Sequence, residues 1–183
     1  MTGVVIAIIV VIIVAAAVAY MVMQRRRSEH LREQFGPEYD RTVEQAGRKR
    51  DAESVLIERE ERVRKHLQIR PLADEDRERF GAQWGDVQSE FVDDPPAAVS
   101  NADRLVGQVM SARGYPMGDF DRQAEDISVD HPDVVDNYRT AHDIALRRET
   151  GDASTEDLRT AMLHYRALFE SLLESPVEQR MQS

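Results

Sequence analysis

The sequence contains no cysteine, and only two of its 24 basic side chains are lysines, Lys49 and Lys65. Without cysteine, the chain cannot form a disulfide bond, a thiolate metal site or a cysteine nucleophile. Glycine-rich phosphate loops, the HExxH zinc signature and the GxSxG turn of serine hydrolases are absent as well. The sequence therefore predicts no catalytic residue, no bound cofactor and no metal site.

Charge is missing from the first 24 residues and is unevenly distributed after them. Residues 24–70 carry 13 basic and 10 acidic side chains, whereas residues 71–183 carry 11 and 24. This acidic balance argues against nucleic acid as a partner, because phosphate binding requires a basic surface. The basic segment instead suits the anionic headgroups of a membrane.

An apolar segment occupies residues 4–23, where twelve of 20 uncharged side chains are valine or isoleucine. A helix of this length crosses a hydrocarbon core of about 30 Å. The pattern predicts a single-pass transmembrane anchor over residues 1–24. A cleaved signal peptide is the alternative, because residues 17–19 have the small-x-small form of a processing site. Against cleavage, the segment has no basic side chain before it.

Three arginines, Arg25, Arg26 and Arg27, follow the apolar segment directly. Short basic clusters beside a span stay in the cytoplasm, so we expect the N-terminus outside and the C-terminus in the cytoplasm. Tyr20 falls near the cytoplasmic interface, where an amphipathic ring is favoured. We assign these four side chains as the membrane-interface residues.

A pair of small residues on the apolar segment is compatible with self-association in the membrane. Ala15 and Ala19 are four apart and therefore share one helix face. Small residues at this spacing let two membrane helices approach closely. A homodimer through this face is one interpretation of the pair, and a chance spacing of two alanines, which is common, is the other.

Residues 25–70 are predicted to form a basic juxtamembrane segment and a stalk. Gly36-Pro37 ends a short helix over residues 28–35, because proline disfavours a helical residue before it. Residues 38–67 are densely charged, with pairs at helical spacing such as Glu58 with Arg62, which indicates a solvated stalk helix. The apolar residues of this segment that we expect to dock on the following domain are Val55, Leu56, Ile57, Val63 and Leu67.

Residues 71–175 show the period of amphipathic helices and no alternating strand pattern. The first two predicted apolar faces comprise Phe80, Trp84, Val87 and Phe91, then Val99, Ala102, Leu105, Val106 and Val109. Later faces comprise Phe120, Ala124 and Ile127, then Val134, Val135, Tyr138, Ala141, Ala145 and Leu146, and finally Leu158, Ala161, Met162, Tyr165, Leu168, Phe169 and Leu172. Short connections predict an all-α fold with an antiparallel helical bundle. Residues 176–183 are expected to form a flexible tail.

Helix ends in this bundle carry recognisable capping residues. Asp94 precedes two prolines, which suit the first turn of a helix. Gly114 fits a C-terminal stop. Ser154 and Asp157 have the spacing of a capping box.

Histidines and carboxylates are the remaining candidates for chemistry. His131 and His142 lie on or beside one predicted helix and His164 lies on the next, but their spacing matches no zinc or di-iron motif. The clustered acids lack the glycine turn and closing glutamate of a calcium loop. These acids are Asp126, Asp130, Asp133, Asp136 and Asp143.

Four stretches give the sequence a family resemblance. They are LREQFGPEYDRTV at residues 31–43, IRPL at 69–72, FVDD at 91–94, and the segment from RGYP at 113–116 to SVDHP at 128–132. Together they resemble a bacterial family of small, N-terminally anchored membrane proteins with a helical cytoplasmic domain and no assigned activity. The resemblance implies a bacterial inner-membrane location and supplies no catalytic residues.

Three functions are compatible with these features. The first is a non-enzymatic interaction or scaffolding module that holds a cytoplasmic partner, such as a basic protein, near the bilayer. The second is a small-ligand sensor or enzyme, which requires a cleft where His142, His164 or Tyr165 converge with acids. The third is an exported envelope protein, with the same bundle working outside the cell.

Overall fold

The computed structural model describes residues 2–174, with side chains from residue 11 onward, so the predicted flexible tail over 176–183 lies outside the described residues. Within this part, the chain forms eight α-helices and no strand, which confirms the all-α class. The helices are α1 (Thr2–Phe35), α2 (Pro37–Ala46), α3 (Lys49–His66), α4 (Asp74–Asp93), α5 (Pro95–Arg113), α6 (Phe120–Asp130), α7 (Val135–Glu149) and α8 (Thr155–Leu173).

Helix α1 is continuous and includes the segment over residues 28–35 that we predicted as a separate short helix. The predicted end at Gly36-Pro37 is confirmed, but the segment is the last part of α1 rather than a separate helix, because no glycine or proline lies between residue 24 and Gly36. Among the residues that the structure describes, no helix is long and apolar enough to cross a membrane. The side chains of residues 4–10, which belong to the predicted anchor, lie outside the described part.

The single stalk helix predicted over residues 38–67 is also wrong, because Gly47 divides it into α2 and α3. Gly47 takes a left-handed conformation with φ of 68°, and its N–H donates to the carbonyl of Val43. Glycine adopts this conformation without the steric cost that a Cβ imposes. Helix α3 is also not fully solvated, since it packs against α6.

A small apolar core joins the first three helices to α6. Its buried members are Leu31, Phe35, Tyr39, Leu56, Val63 and Val129. The predicted docking is thus confirmed for Leu56 and Val63, and Ile57 and Leu67 pack against this core from its edge. Val55 is 39% exposed and faces away. The segment predicted as a stalk is therefore part of the folded body.

The main core is built by α4, α5, α7 and α8, with Ala124 and Ile127 of α6. Helix α5 packs against α4 and α8, and α8 also packs against α7. Every residue of the second and last predicted faces is buried, and Trp84 stacks on Phe169 with ring centroids 4.7 Å apart. On α7 the prediction was wrong at one position, because Leu146 is 50% exposed and Ile144 is buried instead.

The predicted helix caps are confirmed. The Asp94 side chain accepts a hydrogen bond from the Ala97 amide at the start of α5. Ser154 and Asp157 form a reciprocal capping box on α8. Gly114 ends α5 with φ of 95°, and its missing Cβ leaves room for the backbone carbonyl of Gln68. This close approach brings the loop after α3 onto the end of α5.

Candidate functional site

The predicted membrane-interface residues lie together on α1. Tyr20 is 58% exposed and its hydroxyl accepts a hydrogen bond from Gln24 at 3.0 Å. The three arginines of residues 25–27 are exposed on the next turn. The larger apolar side chains just before them are exposed too, namely Val11, Ile12, Ile13, Val14, Val18, Met21, Val22 and Met23. An uncovered apolar surface of this extent is typical of a helix that contacts lipid or a partner.

One helical turn past these arginines, α1 enters the folded body. Leu31 is 1% exposed and Phe35 is completely buried. Glu53 on α3 accepts hydrogen bonds from Ser28 of α1 and from the Tyr39 hydroxyl of α2. Burial, and then the hydrogen bond to Glu53, raise the pKa of Tyr39 to about 12. The exposed apolar stretch and the bundle are consequently joined by one continuous helix.

A buried carboxylate links the first helices to α7. Glu38 has no exposed surface, and its oxygens accept hydrogen bonds from Arg59 at 2.7 Å and from Arg139 at 2.6 and 2.9 Å. Two guanidinium groups thus satisfy this carboxylate. Because both oxygens are already occupied, we assign Glu38 to the packing of α2, α3 and α7 rather than to proton transfer.

A second set of ion pairs fastens α3 to α6. Arg62 donates to Asp126 and Glu125 at 2.9 and 3.1 Å, and Arg59 also reaches Glu125 at 3.3 Å. With Glu38 and Arg139, these residues form what we call the charge clamp. The sequence suggested short-range pairs along α3, and Arg62 instead bonds across helices to residues more than 60 positions away.

The three side chains that the sensor hypothesis names do not share one site, although Tyr165 bonds to an acid that lines the cleft described below. His142 stacks on Phe120 with ring centroids 3.7 Å apart, whereas His164 contacts Asn137 of α7 at 2.9 Å. The Tyr165 hydroxyl donates to Asp103 of α5 at 2.7 Å. Each side chain therefore points to a different helix. Over residues 2–174, no group of three His, Asp or Glu side chains is placed to hold a metal ion.

His131 occupies a buried cluster that sequence reasoning missed. Its Nδ1 lies 2.8 Å from the Ser171 hydroxyl, and its Nε2 lies 3.3 Å from Arg113. Burial, and then the Arg113 charge, lower the pKa of His131 to about 3. Arg113 is 1% exposed and donates to the carbonyl of Leu172, and burial lowers its pKa as well. The cluster ties α5 and the α6–α7 turn to the end of α8.

An open cleft of about 690 Å³ lies beside α4 and α5. Its lining includes Arg79, Phe80, Asp103, Arg104, Met117 and Tyr138. Arg79 lies over the ring of Phe80 at 4.6 Å. An adjacent depression of about 510 Å³ shares Gln83, Arg104 and Gln108 with it. This mixed surface is suited to recognition of a polar or charged group, and no sequence motif marked it.

No known protein family, curated protein or solved structure matches the chain. The family resemblance of the four sequence stretches stays a prediction. Function therefore has to be argued from the geometry of the chain itself.

Proposed function

We propose that the protein is a membrane-anchored, non-enzymatic interaction module that presents an acidic helical bundle to the cytoplasm. One observation carries this proposal. Leu31 and Phe35, at the end of α1, are buried in the bundle, while the apolar side chains from Val11 to Met23 of the same helix are exposed. Exposing apolar surface to water costs about 25 cal/mol per Å². A bilayer would cover residues 4–23 along their whole length.

The orientation is supported by Arg25, Arg26 and Arg27, which we place on the cytoplasmic side of a bacterial inner membrane. The family resemblance points to the same location. Ala15 and Ala19 are exposed on α1, so a homodimer contact through this face is part of the proposal. Replacing both alanines by leucine should abolish crosslinking between anchors if that face is used.

The acidic bundle points to a basic protein partner. Helix α4 alone carries seven acidic residues and two arginines, and Glu75, Glu78 and Asp86 are exposed on it. Held at the membrane, this surface would raise the effective concentration of a bound partner beside the bilayer. Electrostatic complementarity of this kind mainly sets the rate and the specificity of association.

The absence of cysteine gives a direct test of anchoring and topology. A membrane-impermeant maleimide should label a Thr2→Cys variant in intact cells and a Gln88→Cys variant only after permeabilisation. The chain should stay with membranes at alkaline pH and leave them only in detergent. Labelling of Gln88→Cys in intact cells would instead support the exported alternative, and release at alkaline pH would contradict the anchor.

The partner is tested by crosslinking from isolated membranes. We expect the full chain to capture a basic protein, and a Glu75→Lys/Glu78→Lys variant to lose it. A Glu156→Lys/Glu170→Lys variant changes the charge equally on α8 and should retain the partner. Recovery of nothing beyond the protein itself would count against an interaction module.

The cleft beside α4 and α5 supports a second candidate function, the sensing of a small ligand. Its volume of about 690 Å³ lies within the range of small-molecule sites. Arg79 and Arg104 favour an anionic group there. A thermal-shift screen with small carboxylates and phosphates should give a response that Arg104→Ala removes and Arg159→Ala keeps. If the parent chain and the Arg159→Ala variant both give no thermal shift, the cleft does not bind these ligands.

A further inference from the structure

The direction of α3 relative to α1 is fixed by two side-chain contacts. Ser28 of α1 bonds to Glu53 of α3, and Glu38, just after α1, bonds to Arg59 of α3. Glu38 lies three residues past the end of α1, in the first turn of α2, so Arg59 lies near the C-terminal end of α1 while Glu53 lies beside Ser28. This order along α3 indicates that α1 and α3 run in the same sense. The N-terminal end of α3 therefore lies toward the apolar half of α1.

This direction places the basic residues 48–50 of the α2–α3 turn beside the three arginines at residues 25–27 of α1. Lys49 is one helical turn before Glu53, and its ammonium group lies 3.8 Å from that carboxylate. One turn before Ser28 on α1 is Gln24, immediately ahead of the three arginines. If the two helices stay aligned over this turn, residues 48–50 lie at about the level of Gln24, close to residues 25–27. We call this combined set of cations the basic collar: Arg25, Arg26, Arg27, Arg48, Lys49 and Arg50.

The basic collar is exposed and only partly neutralised. All six side chains are exposed, and across the described residues Lys49 alone has an ion pair, with Glu53. The other carboxylates nearest in sequence are Glu29, Glu44 and Asp51, which are exposed and leave an excess of positive charge. Glu53 is buried and already bonded to Ser28 and Tyr39.

The position of the basic collar along α1 matches the headgroup layer of a bilayer. Residues 25–27 follow Met23 within about 6 Å at 1.5 Å per residue. The polar layer on each side of the hydrocarbon core is about 5–8 Å thick. We propose that the turn between α2 and α3 docks on anionic phospholipid headgroups, so that the bundle lies against the bilayer surface. This inference rests on the proposed membrane anchor.

The first measurement is the depth of the α2–α3 turn. The full chain carries a fluorophore on a single cysteine, introduced as Gln45→Cys, Gln24→Cys or Gln88→Cys, and is placed in vesicles whose phospholipids bear a headgroup nitroxide. We expect labels at positions 45 and 24 to be quenched to a similar extent. The label at position 88, on α4, should be quenched far less. Quenching of position 45 no stronger than that of position 88 would overturn the proposal.

The second measurement is lipid selectivity. Spin-labelled phosphatidylglycerol and phosphatidylcholine report which lipid is enriched around the full chain. Replacing three of six cations in Arg48→Gln/Lys49→Gln/Arg50→Gln should lower the phosphatidylglycerol excess by roughly half, if each cation contributes equally. The control Arg64→Gln/Lys65→Gln/Arg159→Gln removes the same charge elsewhere and should keep the excess. Circular dichroism checks that both variants are folded.

Three results separate this inference from the anchor. An unchanged phosphatidylglycerol excess in the variant of residues 48–50, in a chain that resists alkaline extraction, overturns the docking and leaves the anchor intact. Release of the chain at alkaline pH overturns the anchor and the docking together. In the third result, a soluble polyanion protects the label at position 45 from quenching, and the chain shows no excess of phosphatidylglycerol around it. That result overturns the docking in favour of a different acidic partner.

Discussion

At the scale of single residues, Glu38 carries the largest predicted effect on stability. It is completely buried and its two partner arginines lie on α3 and α7. Removing one member of a buried ion pair costs about 3–5 kcal/mol, because the partner charges stay buried without compensation. We expect Glu38→Gln to lower the free energy of unfolding by about this amount, measured by urea denaturation of the chain in mild detergent.

An exposed ion pair between α1 and α2 provides the control for Glu38→Gln. Asp40 bonds to Arg32 at 2.8 Å, but both side chains are at least 60% exposed. Exposed pairs of this kind contribute little to stability, because solvent screens the two charges. Asp40→Asn should therefore have little effect on the free energy of unfolding. If the two variants are equally stable, the charge clamp does not hold the helices together.

His131 predicts how stability depends on pH. Its folded pKa of about 3 lies below the value of about 6.5 for an unfolded histidine. Well above pH 6.5, His131 is deprotonated in both the folded and the unfolded state, and its contribution to stability is complete. As the pH falls from 6.5 toward 3, mainly the unfolded state gains the proton, so the free energy of unfolding falls over this range.

The corresponding measurement compares urea denaturation of the parent chain and a His131→Gln variant between pH 8 and 4. The variant lacks the titrating ring, so its stability should fall less steeply below pH 6.5. Carboxylates contribute equally to both curves and cancel in the difference. Parallel curves for the two proteins would show that His131 titrates normally in the fold.

At the scale of helices, the docking of α3 distinguishes the observed fold from the stalk that we predicted. Leu56 is completely buried in the core that α3 shares with α1 and α6, whereas its neighbour Val55 is 39% exposed. Truncating a buried leucine to alanine costs about 2–5 kcal/mol. We expect Leu56→Ala to lower the free energy of unfolding by this amount, measured by urea denaturation.

Val55→Ala is the matched change one position away. It removes apolar atoms from a partly exposed side chain, so its effect should stay below about 1 kcal/mol. A solvated stalk would instead give small, similar effects at both positions. That result would contradict the packing of α3 on the bundle.

The end of α5 offers a second comparison between matched residues. Gly114 and Gly151 both have positive φ, at 95° and 81°. Alanine in this region costs about 1–2 kcal/mol from backbone strain alone. At Gly114 a Cβ would also collide with the backbone of Gln68, whereas around Gly151 the space is open. Gly114→Ala should therefore lower the thermal midpoint more than Gly151→Ala, and equal shifts would show that the loop after α3 moves freely.

At the scale of the whole molecule, the anchor and the folded body are separable in sequence. The described cores begin at Leu31 and Leu72, so neither includes a side chain of residues 11–24. We expect a chain that begins at residue 25 to retain its helical circular dichroism and its thermal midpoint without membranes. Loss of cooperative unfolding in that chain would show that the apolar part of α1 stabilises the bundle.

The sequence by itself determined the helical class, most of the buried faces and the caps. These features depend on residues three or four positions apart, such as Ser154 with Asp157, and such spacing is visible in one dimension. The errors came from the same local reasoning. Dense charge along residues 38–67 indicated solvent, although Glu38 and Arg59 neutralise each other in a buried site.

Only the tertiary structure decided which helices meet. Glu38 and Arg139 are 101 positions apart, and His131 and Ser171 are 40 apart. No periodic pattern relates residues at such distances, because their contact depends on how whole helices pack. The inferred level of residues 48–50 beside residues 25–27 has the same origin, since it follows from the contact of Ser28 with Glu53, 25 positions away, and of Glu38 with Arg59, 21 positions away.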